Sequence, residues 1–88
     1  MELLEYNFSV QEYNSNEYLQ TNCIDFAVFN AGDGVIVVNN FPIAPGQSFG
    51  LNGNVNEVLK QNILLTFQQP ATIFKAVYVR RFYVGQNF

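Results

Sequence analysis

Thr72-Ile73-Phe74-Lys75-Ala76-Val77-Tyr78-Val79-Arg80-Arg81-Phe82-Tyr83-Val84 is the longest stretch of the chain that reads as extended. Phe74, Ala76, Tyr78, Arg80 and Phe82 share one face; Ile73, Lys75, Val77, Val79, Arg81 and Tyr83 share the other. β-Branched and aromatic side chains fill it, as a pleated, half-buried surface favours. Just upstream, Ile63 to Phe67 is a second strand, joined to it through a turn at Gln68-Gln69-Pro70-Ala71.

The rest of the chain repeats this style. Leu4, Tyr6, Phe8 and Val10 alternate with Glu5, Asn7, Ser9 and Gln11, so the first strand is expected to bury its apolar side. Tyr13 to Asn22 is polar and aperiodic and reads as a loop. Cys23 to Phe29 is apolar on both faces, which places it centrally in a sheet. Asn30-Ala31-Gly32-Asp33-Gly34 offers residues that accept positive φ, and reads as a hairpin into Val35 to Asn39. Pro42 and Pro45 break that strand, and Pro45-Gly46 fits the centre of a type II turn. Gln47 to Leu51 is a short strand ending at the turn pair Asn52-Gly53. Asn54 to Asn62 suits either one helical turn or a strand. Six or seven short strands imply a single all-β domain over residues 1–88, a small β-sandwich of jelly-roll type. Its expected core is Leu4, Tyr6, Phe8, Val10, Ile24, Phe26, Val28, Val35, Val37 and much of the Phe74 face.

Composition narrows the function classes. The chain has 88 residues, 49% apolar and 16% aromatic, with nine Phe, five Tyr and no Trp. Only 12% are charged, and the hydrophilic share is mostly amide, with twelve Asn and seven Gln. With no His and one Cys, neither a Cys/His zinc site nor a Cys-His dyad forms within one chain. No internal disulfide is available to Cys23, which reads as a small buried hydrophobe. The longest apolar run, Val35 to Val38, falls far short of a membrane span, and Met1 to Glu5 lacks the basic start of a signal peptide. The expectation is a soluble protein made in a reducing cytoplasm, with no membrane partner.

Charge is segregated along the chain. All seven acids lie within residues 1–57, and Lys60, Lys75, Arg80 and Arg81 lie within residues 58–88. Either early and late strands neutralise each other in one sheet, or complementary surfaces meet on successive subunits. Arg80 and Arg81 point to opposite faces; one is expected to pair with Asp25, leaving the other for a neighbour. Four bases in an acidic chain are too few for direct nucleic-acid binding.

No catalytic constellation emerges. Asp25 and Asp33 are the only carboxylates to weigh as an acid-base pair; Asp33 reads as a turn residue and Asp25 as an ion-pair partner. Gly32-Asp33-Gly34 matches no phosphate loop, and no loop offers the alternating carboxylates that calcium requires. Hence no catalytic residue, cofactor or metal is expected. Tyr13 and Tyr18, set among amides, suit a binding loop or a sugar. Without a Trp or an opposing aromatic cluster, useful saccharide affinity is not expected from them.

Phe29 to Phe49 contains Asn30-Ala31-Gly32, then Val35-Ile36-Val37, then Ala44-Pro45-Gly46-Gln47-Ser48. This block of about 20 residues resembles a pattern in small virion proteins of tailed bacteriophages. The resemblance implies a small β-sandwich carried on capsids, tails or spikes in repeated copies. It implies a virion location, synthesis in the host cytoplasm, and partners that are copies of itself or other virion proteins. It carries no catalytic residue across. The reading that follows is a non-catalytic structural module with interface candidates Tyr13, Tyr18, Arg80, Arg81 and Phe88. The alternative is a carbohydrate-binding module using the surface tyrosines and amides.

Overall fold

A computed structural model describes residues 5–54 and 57–84. Eight strands form: β1 (Tyr6–Tyr13), β2 (Glu17–Gln20), β3 (Asp25–Asn30), β4 (Ile36–Val38), β5 (Phe41–Ile43), β6 (Ser48–Leu51), β7 (Asn62–Phe67) and β8 (Ala76–Tyr83). They build two four-stranded antiparallel sheets, ordered β1-β8-β3-β6 and β2-β7-β4-β5. Apart from the β4–β5 hairpin, every connection crosses from one sheet to the other. That ordering is the jelly-roll form of the β-sandwich.

The core lies between the sheets. Leu19, Ile36, Val38, Ile43, Ile63 and Leu65 come from one sheet, and Phe26, Val28, Ala76 and Tyr78 from the other. A row of rings crosses it: Phe41 to Phe49 at 5.0 Å, Phe49 to Phe26 at 6.3 Å, Phe26 to Tyr78 at 6.1 Å and Tyr78 to Tyr13 at 6.5 Å. Cys23 is fully buried, and burial pushes its thiol up to about 11. Ile24, Phe26, Val28 and, from the Phe74 face, Ala76 and Tyr78 are core as expected, with Phe82 packed against them, and β3 is central.

Several expectations are corrected. The first strand forms, but Tyr6, Phe8 and Val10 face solvent; Leu4 lies outside the described residues. The register explains this, because the β1 residues opposite the inward Ala76, Tyr78, Arg80 and Phe82 are Tyr13, Gln11, Ser9 and Asn7. Alternation identifies a strand without saying which side is in, and a slip of one residue exchanges the two. Val35 and Val37 are likewise only half-buried, and Ile36 and Val38 take the core positions opposite Phe67 and Leu65. The segment read as a loop after Tyr13 contains β2, whose short run buries Leu19 alone.

Asn30 to Gly34 is no hairpin but a crossover between sheets. The hairpin comes later, where Asn39 (φ 50°) and Asn40 (φ 68°) form the two-residue loop between β4 and β5. Both centres are left-handed, as a type I′ turn requires. Pro42 does not end the sheet, because β5 is an edge strand and tolerates its missing N–H. Gly46 (φ 81°) completes the expected type II turn, with the Gln47 N–H donating to the Ala44 carbonyl at 3.1 Å. Asn52-Gly53 does not turn β6 into a hairpin, because the chain passes on to the other sheet. Within the segment left open, Leu59 bridges to Cys23, while Val55 and Asn56 lie outside the described residues.

Candidate functional site

The outer face of the β1-β8-β3-β6 sheet is largely apolar. The register sets Phe8 opposite Arg81, Val10 opposite Val79, and Ala27 and Phe29 opposite Val79 and Val77. Exposure reaches 71% at Phe8, 55% at Val10, 54% at Tyr6 and 42% at Phe29. A solvated sheet face ordinarily carries polar residues, and β1 turns the opposite way.

Two intrachain ion pairs mark the ends of this face. The Arg81 Nη2 donates to Asp25 Oδ2 at 2.5 Å, and its guanidinium lies 4.7 Å from the centre of the Tyr6 ring. Asp25 first, and Tyr6 second, hold the Arg81 pKa above its ordinary value. At the other end Lys75 Nζ reaches Glu12 Oε1 at 3.4 Å. Basic β8 therefore lies between two strands of the acidic half, and these two bases are neutralised within the fold. Of the two expected partners of Asp25, the structure selects Arg81.

Arg80 points to the other side of β8. Its Nε donates to Ser9 Oγ at 3.3 Å and its Nη1 to the Thr21 carbonyl at 2.8 Å. Among the described residues no carboxylate pairs with it. It lies in a cleft of about 460 Å³ at the flank where β1 and β2 meet, together with Tyr13 and Tyr18. Gln11, Gln20 and Asn22 contribute amides, and Tyr78 lines the inner wall. The Tyr78 hydroxyl donates to the Gln20 carbonyl at 3.0 Å, and burial raises its pKa. Tyr13 donates to Gln11 Oε1 at 2.7 Å. Three residues singled out from sequence thus share one cleft, while Arg81 lies on the opposite face of the sheet and Phe88 lies outside the described residues.

The carboxylates weighed for acid-base work are separately engaged. Asp25 is held by Arg81, and Asp33 accepts N–H groups from Thr72 and Ile73. Among the described residues no three His, Cys, Asp or Glu side chains gather where a metal could sit. Sequence reasoning missed Gln11, Gln20 and Asn22, since amides are spread through the chain; the register of β1 on β8 sets Gln11 opposite Tyr78, and the packing of β2 beside Tyr78 brings the other two to the same cleft. No family model, curated protein or solved structure matches this chain.

Proposed function

We propose that the chain is a non-catalytic structural module that packs against further copies of itself through the outer face of the β1-β8-β3-β6 sheet. The carrying observation is the outward turn of Tyr6, Phe8 and Val10, which leaves an apolar sheet face that none of the described residues covers. Contiguous apolar surface of this kind marks interaction sites. A second copy is the occupant favoured by charge. The face holds both signs at both ends, Asp25–Arg81 and Glu12–Lys75, so two copies packed about a two-fold axis meet without like-charged ends. An 88-residue chain also has a modest core, burying roughly 60–65% of its unfolded surface, and association adds to it. The Phe29 to Phe49 resemblance supports a virion as the place where such copies assemble.

Light scattering on the eluting protein tests this. The wild type is expected above the mass of one chain, and Phe8→Glu is expected to return it to one chain while retaining its fold. A wild type that stays monomeric at 100 μM, on the order of a weak dimer's dissociation constant, overturns self-association and leaves a different protein as the occupant.

A further inference from the structure

We propose that the cleft between β1 and β2 binds an acidic saccharide, with the sugar carboxylate on Arg80 and a sugar face on Tyr18. This goes beyond the assembly reading and uses the other side of the β1-β8-β3-β6 sheet.

The inverted first strand sets the polarity of this flank. Turning Phe8 and Val10 outward turns Ser9 and Gln11 inward, so the flank of the sandwich is polar where an ordinary edge would be apolar. Into that flank projects a half-buried guanidinium whose partners among the described residues, the Ser9 hydroxyl, the Thr21 carbonyl and the Phe82 ring 5.2 Å away, are all neutral. Of the two arginines, only Arg81 has a carboxylate partner among the described residues. An arginine held by neutral acceptors in a cleft is arranged to receive an anion, and a carboxylate fits the planar fork.

The surrounding residues favour a saccharide over an acidic peptide. Gln11, Gln20 and Asn22 bring amides, which both donate and accept, as sugar hydroxyls do. Tyr18, 69% exposed, offers a ring face for sugar C–H groups, and Tyr13 is propped against Tyr78 at 6.5 Å. Among the described residues that line the cleft, none is an aliphatic that would make a socket for a peptide side chain. Its volume of about 460 Å³ falls within the range of small-ligand sites, roughly 300–1,000 Å³. Neutral sugars, lacking a charge-assisted bond and a Trp platform, bind poorly in such a site.

A glycan array carrying sialylated, uronic-acid and neutral glycans tests this, with poly-glutamate as the peptide control. Hits are expected only among carboxylated glycans, and the methyl ester of the best hit should bind about tenfold or more weaker in calorimetry. Arg80→Gln and Tyr18→Ala should each lose binding by a similar factor, while Phe8→Glu should retain it. If Arg80→Gln fails to fold by circular dichroism, Tyr18→Ala and the ester decide. The absence of any carboxylated hit, equal binding of acid and ester, or binding of poly-glutamate alone overturns the proposal. None of these outcomes bears on the chain's assembly mass, so the two readings fail separately.

Discussion

Asp33 holds Thr72 with both carboxylate oxygens: Oδ1 accepts the Thr72 N–H at 2.9 Å, and Oδ2 accepts the Thr72 hydroxyl. Oδ1 also takes the Ile73 N–H at 2.9 Å. Backbone bonds from Ala31 to Lys75 (3.0 Å) and from Asp33 to Ile73 (3.2 Å) run alongside. Together they carry the β3–β8 pairing beyond Asn30 and Ala76, where both strands formally end. The approach is close enough that a Cβ on Gly32 would strike the Ile73 carbonyl.

These bonds, the Thr72 hydroxyl foremost, lower the Asp33 pKa. A carboxyl whose folded pKa is depressed stabilises the fold above its unfolded value, near 4, and that stabilisation is lost as pH falls through the folded value. Melting temperatures from pH 6 down to pH 2 should therefore fall less steeply for Asp33→Asn than for the wild type, the two curves converging at the acid end. Parallel curves would show that the clamp contributes nothing.

Phe26 and Phe8 separate the two sides of the sandwich. Phe26 is 4% exposed and touches Phe49 and Tyr78, so Phe26→Ala should cost about 3–5 kcal/mol. Phe8→Ala should stay within about 0.5 kcal/mol of the wild type in a monomeric reference state. Urea melts at low protein concentration check both, and similar losses would mean that β1 faces the other way.

Asn30 is buried, and its side chain is fully used. Nδ2 donates to the Gly34 carbonyl at 2.7 Å and the Ile43 carbonyl at 2.9 Å, while Oδ1 accepts the Gly32 N–H at 3.0 Å. One amide thus ties the crossover to β5. Asn30→Leu leaves those backbone groups unanswered and should cost about 2–3 kcal/mol despite its added hydrophobicity. A neutral or stabilising result in chemical denaturation would remove Asn30 from the framework.

Arg81 and Asp25 answer each other across β8 and β3. Arg81→Glu should lower the melting temperature, and Asp25→Lys placed in the same chain should recover most of the loss, as opposite-charge cross-strand pairs contribute about 0.2–1 kcal/mol. Because Arg81 and Lys75 are satisfied internally, raising NaCl from 0.05 to roughly 0.5 M, where the Debye length shortens to a few Å, should not weaken self-association. Dissociation by salt in light scattering would instead restore charge pairing between subunits.

Strand content was legible where side chains alternate or β-branch, as in β3 and β8, and turns were legible where Pro and Gly fix the backbone, as at Pro45-Gly46. Orientation was not. Tyr6, Phe8 and Val10 look like a core stripe, and only their pairing opposite Tyr83, Arg81 and Val79 shows them outside. Asn39-Asn40 lacks the glycine that usually signals a two-residue turn, whereas Asn30 to Gly34, one connection earlier, carries two glycines and yet crosses between sheets. For the cleft, Tyr13 and Tyr18 stood out together as one loop, and Arg80 stood apart from them. Their meeting depends on β1 and β2 lying on one flank of the sandwich, closed by the contact between Tyr78 and Gln20, which are 58 residues apart in the chain.

Tyr6 lies directly opposite Tyr83, and the Val84 N–H donates to the Glu5 carbonyl at 3.0 Å. Glu5 and Val84 therefore lie side by side, about one strand spacing of 4.8 Å apart. A unit cut at Glu5 and Val84 can be grafted into a surface loop of a host protein without stretching it, and a few linking residues would join these two positions for circular permutation. The pole carrying Asn14 and the Asp33–Thr72 clamp then points away from the attachment, which makes it the end to extend when displaying a peptide.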